Sequence, residues 1–378
     1  MTAPEPRPTF AVIAGGGTAG HLLPGIAVAH ELVRRGHDPS SLHFVGAARG
    51  PEAELVPAAG FGVTLLGGRG LQRRLTWDNV AAVRGLLGAL VGAFRLVRRR
   101  RPRVVLSLGG FASVACALAA VLCRVPLVVA EQNARAGAAN RLVGRFARAC
   151  AVPFADTDLP RTEVTGNPVR AEILAAAADR DPAAARRLLG LPVDRTTVVV
   201  FAGSLGSRRI NEATYDLAAA WRDRDDLAIH HVVGARDWDD RREPPAGELH
   251  YQAVRYESRM EVALAAADLA VCRAGGTTVA ELAVMGVPSV LVPLPIATRD
   301  HQRANAAPLV GAGAALLVPD DELDGDRLRR ELEPLLVRDG GVEVLDRMAD
   351  AARRLGRPDA AAAVADLVER AAAGRSGR

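Results

Sequence analysis

Three turns in this sequence have the composition of anion cradles, and a histidine stands one residue beyond the first of them. The turns are Gly15-Gly-Gly-Thr-Ala-Gly20 before His21, Gly203-Ser-Leu-Gly-Ser207, and Cys272-Arg-Ala-Gly-Gly-Thr-Thr278. Each follows an apolar, β-branched run and leads into a helical pattern. Glycine removes the Cβ, so backbone N–H groups can gather around a negative charge at the positive end of a helix. Several such turns in one chain imply a phosphate-bearing ligand. A helix N-terminus favours the neutral imidazole over the cation, which suits His21 to accept a proton. The plainer reading of His21 is a capping or packing side chain.

Other polar groups fall near these turns. Thr277 and Thr278 suit the cap of a helix whose first turn would hold Glu281. A carboxylate there can accept two hydrogen bonds from vicinal hydroxyls such as those of a ribose, although a Glu that only complements the helix dipole reads equally well. Asp300-His301-Gln302 follows the run 288–295 and is suited to ligand hydroxyls, or else is a solvated loop. The pairs Asp156/Asp158 and Asp237/Asp239 follow no strand end and have no His or Glu close by, so they read as surface acids and no metal site is expected. Gly15, Gly17 and Gly20 also satisfy the dinucleotide pattern G-x-G-x-x-G. The next strand, however, ends in Gly46-Ala-Ala-Arg49, where an NAD enzyme needs an acid. Arg49 would suit NADP, but that reading leaves the later glycine turns without a purpose.

The elements that would position these groups alternate along the chain. Strands are expected at 9–14, 42–46, 63–66, 104–108, 127–130, 149–152 and 162–165, then at 196–202, 228–233, 250–254, 269–272, 288–292 and 315–318. Helices are expected at 20–35, 51–59, 78–100, 110–123, 137–147, 183–189, 210–221, 258–266, 276–285, 302–311, 326–337 and 343–355. The rhythm predicts an α/β protein of two Rossmann-like doubly wound domains facing a cleft. A chain of 378 residues exceeds one comfortable core. The turn Gly166-Asn-Pro168 divides it into 1–167 and 168–355, with a helix in 356–378 that can pack back on the first domain.

Bulk properties exclude several classes. With 49% hydrophobic residues the chain is not disordered. A net charge of +5 is mildly basic, and the arginines are dispersed without an aromatic-rich RNA motif, so nucleic acid is not expected. Cys116, Cys123, Cys150 and Cys272 show no Cys-x-x-Cys pairing and read as buried apolar residues in a reducing compartment. Residues 104–123 carry no charge, yet a Gly109-Gly110 break divides them into a strand and a helix rather than a membrane span. Leu71 to Leu75, Trp77 and the helix to Arg101 fit either a core-facing helix with a charged end or a patch that rests on anionic lipid.

Taken in order, the motifs resemble the MurG-type N-acetylglucosaminyltransferases of bacterial peptidoglycan synthesis over nearly the whole chain. They are Gly15 to Gly25, Gly109 to Ser113, Glu131-Gln-Asn133 with Asn140-Arg141, Gly166 to Arg170, Gly203 to Asn211, Cys272 to Glu281, and Asp300-His-Gln302 with Asn305. The resemblance implies the GT-B architecture, no cofactor and no Asp-x-Asp metal centre. It implies inverting transfer of GlcNAc from UDP-GlcNAc to the C4 hydroxyl of a muramyl-pentapeptide on a polyprenyl pyrophosphate, at the cytoplasmic face of the cell membrane. His21 would be the base. Thr18, Ala19 and Gly20 would line the donor-phosphate and acceptor cleft, and Asn133 would contact the GlcNAc. Arg170 and Ser204 would bind the diphosphate, with Gly276, Thr277 and Thr278 beside them at the third turn. The backbone near Glu257 would read the uracil, Glu281 would hold the ribose, and Gln302 would bind GlcNAc hydroxyls. Ala130, Leu205 and Phe111 stand where the family usually has His, Gln and Tyr. A relative acting on a different acceptor is the alternative.

Overall fold

The structure is a computed structural model that describes residues 9–48, 50–67, 78–244, 246–337 and 341–374, without the side chains of Ala19 and residues 78–87. The segment 71–77 of the expected lipid-facing patch and Arg49 lie outside the described residues. The chain forms two compact units, Met1–Arg170 with Pro358–Arg378, and Ala171–Arg357.

The first unit runs β1 (Ala11–Gly15), α1 (Ala19–Arg34), β2 (Leu42–Ala47), α2 (Glu52–Ala58), β3 (Gly62–Leu66), α3 (Asp78–Arg100), β4 (Val104–Gly109), α4 (Phe111–Leu122), β5 (Leu127–Ala130), α5 (Ala138–Gly144), β6 (Ala149–Val152) and β7 (Thr162–Val164). The second runs α6 (Ala171–Ala178), α7 (Pro182–Leu189), β8 (Thr196–Phe201), α8 (Arg208–Ala220), β9 (Leu227–Val232), β10 (His250–Val254), α9 (Met260–Ala266), β11 (Leu269–Cys272), α10 (Gly276–Met285), β12 (Ser289–Leu291), α11 (His301–Gly311), β13 (Ala315–Leu317), α12 (Gly325–Leu332) and α13 (Gly341–Leu355). The chain then returns to the first unit as α14 (Ala360–Ala373).

Both sheets are parallel, in the orders β3-β2-β1-β4-β5-β6-β7 and β10-β9-β8-β11-β12-β13. The central strands are buried on both faces, which is why they read as continuous apolar runs without alternation. In each sheet the order reverses between the first strand and the fourth, and such switch points are where open α/β sheets leave a crevice at the strand C-termini. The first and third glycine turns and Gly109-Gly110 follow β1, β11 and β4, and the second turn follows β8. Every one of them therefore borders a switch point. The uncharged stretch 104–123 forms β4 and α4, and among the described residues no helix is long and apolar enough to cross a membrane.

Local chemistry accounts for the departures from expectation. Pro334 stops α12 at Leu332 and leaves a single 3-10 turn at Glu333–Leu335 in place of one helix over 326–337, because proline lacks an N–H and clashes with the preceding turn. Helix α6 was absent from the periodic pattern: its run Ala171-Glu-Ile-Leu-Ala-Ala-Ala-Ala178 buries only Ile173 and carries no amphipathic stripe.

Helix α14 completes the first core. Val364, Leu367, Val368 and Ala371 join Leu22, Ile26, Ile13 and Leu106 in one cluster. Over it, Arg35 donates to Glu31, Asp366, Glu369 and the carbonyl of Ala362, at 2.5–3.0 Å. The clasp is half-exposed and contributes little, whereas Leu367 is fully enclosed. Leu367→Ala is expected to lower the unfolding free energy by about 2–5 kcal/mol and Arg35→Ala by about 1 kcal/mol or less. Urea titration of both variants checks the ranking, and a costlier Arg35→Ala would reverse it.

Candidate active site

In the first unit, Thr18 is the N-cap of α1 in extended conformation, and its hydroxyl makes no capping bond to the helix backbone. Its Oγ1 lies 2.8 Å from Nδ1 of His21. When Nδ1 holds the ring proton and donates to Thr18, Nε2 presents a lone pair. That edge of the ring lies against Gly109, where an added Cβ would sit 3.2 Å from His21 Cδ2, 3.5 Å from Nε2 and 3.3 Å from Asn140 Nδ2. Gly109 and Gly110 both have positive φ, and a Cβ on Gly110 would come within 2.3 Å of the Gly16 carbonyl oxygen. The two glycine turns are thus in main-chain contact.

An amide of the first turn is already engaged within the protein: Glu52 accepts from the Gly17 N–H at 2.5 Å. A pyrophosphate in the dinucleotide manner would compete with this buried carboxylate.

The opposite side of this half-site is built on Glu131. Its Oε1 accepts from the N–H groups of Gln132 and Asn133 and from Asn133 Nδ2, at 3.0–3.1 Å. Its Oε2 accepts from Gly137 N and from Asn140 Nδ2 at 3.0 and 2.9 Å. One buried carboxylate thereby sets both asparagines and the entry to α5. Ala130 is buried directly before it, and its carbonyl accepts from Gln132 Nε2.

The second unit is stapled by Arg273. It donates to Asp320, to the carbonyls of Val292 and Pro293, and to Ser207 Oγ at 2.6 Å. Ser207 caps α8, so the staple joins the second glycine turn to the third. Ser204 is exposed on the second turn, and its carbonyl accepts from Ala235 N. Leu205 beside it is 62% exposed. Gly276, Thr277 and Thr278 form the first turn of α10, whose N-cap is Gly275 with no side-chain cap. The threonines therefore do not cap the helix, and Glu281 sits in its second turn, buried. The sequence places the cap two residues late because Thr is a stronger capping residue than Gly.

Gln302 accepts from Leu294 N at 2.9 Å, which turns its Nε2 outward from that contact. It follows Arg299 and Asp300, whose φ values of +59° and +52° are unusual for residues with side chains. Buried Asn305 donates to the Ala274 carbonyl and fixes α11 to the third turn. The Glu257 side chain accepts from Arg259 N at 2.7 Å and lies 3.5 Å from His230 Nε2, so its backbone is the part available to a base edge. Burial lowers the His230 and His231 pKa values, the latter to about 3. Arg170 is half-buried at the end of the first unit, after a buried Asn167.

Asp237 is no surface acid. It is buried and accepts from Arg236 and from Asn211 Nδ2, while Asp158 accepts from Ala136 N. Among the described residues no three His, Cys, Asp or Glu side chains gather as metal ligands. Sequence reasoning assigned no role to Glu52, Glu131, Asn140 or Arg273. For Glu131 the following Gly137 helix start is a local signal; Glu52 has none.

Residues 11–152 match the Glycosyltransferase family 28 N-terminal domain and residues 197–364 the Glycosyltransferase family 28 C-terminal domain. A UDP-N-acetylglucosamine--N-acetylmuramyl-(pentapeptide) pyrophosphoryl-undecaprenol N-acetylglucosamine transferase of Clavibacter sepedonicus is 40% identical over 98% of both chains. One from Anaeromyxobacter sp. (strain Fw109-5) is 39% identical over 94% of this chain and 92% of its own. The crystal structure of Acinetobacter baumannii MurG superposes with a TM-score of 0.75 at 27% identity, over 96% of this chain and 100% of that one. None of these supports an oxidoreductase. The chain belongs to glycosyltransferase family 28, among the UDP-N-acetylglucosamine--N-acetylmuramyl-(pentapeptide) pyrophosphoryl-undecaprenol N-acetylglucosamine transferases.

Proposed function

We propose that this enzyme moves GlcNAc from UDP-GlcNAc to the C4 hydroxyl of a lipid-linked muramyl-pentapeptide with inversion, and that His21 is the base. The observation that supports the residue assignment is the Thr18–His21 contact at 2.8 Å, with the Nε2 edge of the ring beside Gly109 at the switch point of the first sheet. In the reaction Nε2 takes the hydroxyl proton, the O4–C1 bond forms, and the bond from C1 to the UDP oxygen breaks with its electron pair leaving on UDP. In this reading the diphosphate charge falls to the amides at the start of α10, from Gly276, Thr277 and Thr278, and to Ser204 and Arg170. Arg273 holds the turns that present these amides in place.

In this reading Glu281 accepts from the ribose hydroxyls and the main chain around Glu257 reads the uracil. Gln302, oriented by Leu294 N, donates through Nε2 to the GlcNAc hydroxyls. Asn133, held by Glu131, contacts the sugar, while Thr18, Ala19 and Gly20 line the acceptor side. The lipid-linked acceptor requires contact with a membrane surface at its cytoplasmic side. Support comes from the end of α3, where exposed Arg98 and Arg101 border a depression of about 400 Å³ beside exposed Leu122. Cations next to apolar side chains suit anionic headgroups.

His21→Ala is expected to cut kcat by about 10²–10⁴-fold with UDP-GlcNAc affinity unchanged. Steady-state kinetics and donor titration check this, and parallel losses would make His21 a binding residue. Glu281→Ala should weaken UDP binding about tenfold to a hundredfold, measured calorimetrically; undiminished affinity removes the ribose role. Arg98→Glu with Arg101→Glu should reduce cosedimentation with anionic vesicles about tenfold or more, and equal sedimentation would discard the lipid patch.

A further inference from the structure

Glu52 is the first residue of α2, where a carboxylate ordinarily faces water and complements the helix dipole. This one turns inward and is 1% exposed. Its Oε1 accepts from Gly17 N, and its buried Oε2 has no hydrogen-bond partner among the described residues. A lone hydrogen bond is a poor return for removing a carboxyl group from water. The surroundings are nonetheless shaped around it. A Cβ on Gly16 would lie 1.8 Å from Oε1, one on Gly50 1.8 Å from Oε2, and one on Gly46 2.6 Å from Cγ. Three glycines, one from the turn after β1, one from the end of β2 and one from the stretch between β2 and α2, thus leave room for a single side chain.

The group it holds lies four residues before the base. Gly17 has φ of +96° and leads into Thr18, the N-cap of α1, whose hydroxyl meets Nδ1 of His21. Displacing the Gly17 amide shifts Thr18, and with it the hydroxyl that meets the His21 ring.

We propose that Glu52 is a positioning residue for the transfer reaction: by anchoring the Gly17 N–H it fixes Thr18 and, through the Thr18–His21 contact, the orientation of the His21 ring. The proposal rests on the reading of His21 as base. Glu52 itself, being enclosed, touches neither substrate.

The test compares Glu52→Met, which keeps the length but accepts no hydrogen bond, with Glu52→Gln, which restores an acceptor oxygen. Glu52→Met is expected to lower kcat by about 10²-fold while the KM for UDP-GlcNAc stays within about threefold, since misplacement of a reacting group near 1 Å costs about that much. Glu52→Gln should recover most of the loss. If Glu52→Met does not fold, Glu52→Asp, which withdraws the acceptor by one methylene, takes its place with the same expected split. Retention of kcat in the variant without the acceptor overturns the proposal, as does a parallel change in kcat and donor KM, or a Gln variant no better than Met. His21→Ala run alongside separates the two readings. If it abolishes turnover while Glu52→Met does not, only the role of Glu52 falls; if His21→Ala is itself active, the base assignment falls first.

Discussion

Main-chain segments approach one another at the strand ends more closely than any Cβ would permit, and the rest of each half-site is arranged around that contact. In the first unit the Gly16 carbonyl lies against Gly110, and Gly15 pairs with Gly109 where the register between β1 and β4 shifts. In the second, Gly206 packs against Val233 and Gly234, where a Cβ would come within 2.1 Å of a carbonyl oxygen. In the first sheet α1 and α4, which follow the two strands flanking the switch point, begin close together, so their positive ends and first side chains converge there. In the second sheet the contact joins the segments after β8 and β9, one strand away from the β8–β11 switch point. The first of these contacts brings His21 against Gly109.

Turns this close have little apolar surface with which to hold themselves, so charged side chains hold them. Glu131 receives hydrogen bonds from three backbone amides and two side-chain amides, and Arg273 reaches two carbonyls, a hydroxyl and a carboxylate. Each satisfies polar groups that the ends of strands and helices leave over. The arrangement is one of pre-organisation. An enzyme that stabilises developing charge with fixed dipoles gains only if those dipoles need not reorganise during the reaction, and multiply bonded staples provide that rigidity.

The glycine turns illustrate how far local patterns can be read. Their positions and their link to a strand before and a helix after were plain from composition, and so was the α/β class. Their packing was not. Gly16 and Gly50 make room for the Glu52 side chain, which is more than thirty residues along the chain from Gly17. Thr277 and Thr278 looked like capping residues, yet Gly275 occupies the cap and Glu281 moves into the second turn. Asp237 looked like a surface acid and is enclosed by Arg236 and Asn211. For Glu52 and for Asn211 beside Asp237 the local chemistry was sound and a residue distant in sequence outweighed it, whereas the cap of α10 moved by only two residues.

What the sequence determined alone was whatever depends on periodicity and on backbone freedom: the buried parallel strands, the turns that need glycine, the helix that carries His21 in its first turn, and the ordered motifs of the family. Those properties reside in short windows, where side-chain pattern and allowed φ and ψ suffice. The tertiary structure decided which turn meets which, that α14 completes the first core, and that Glu52, Glu131 and Arg273 become staples. Such choices depend on which groups lose water together, and only the folded chain brings those groups into contact.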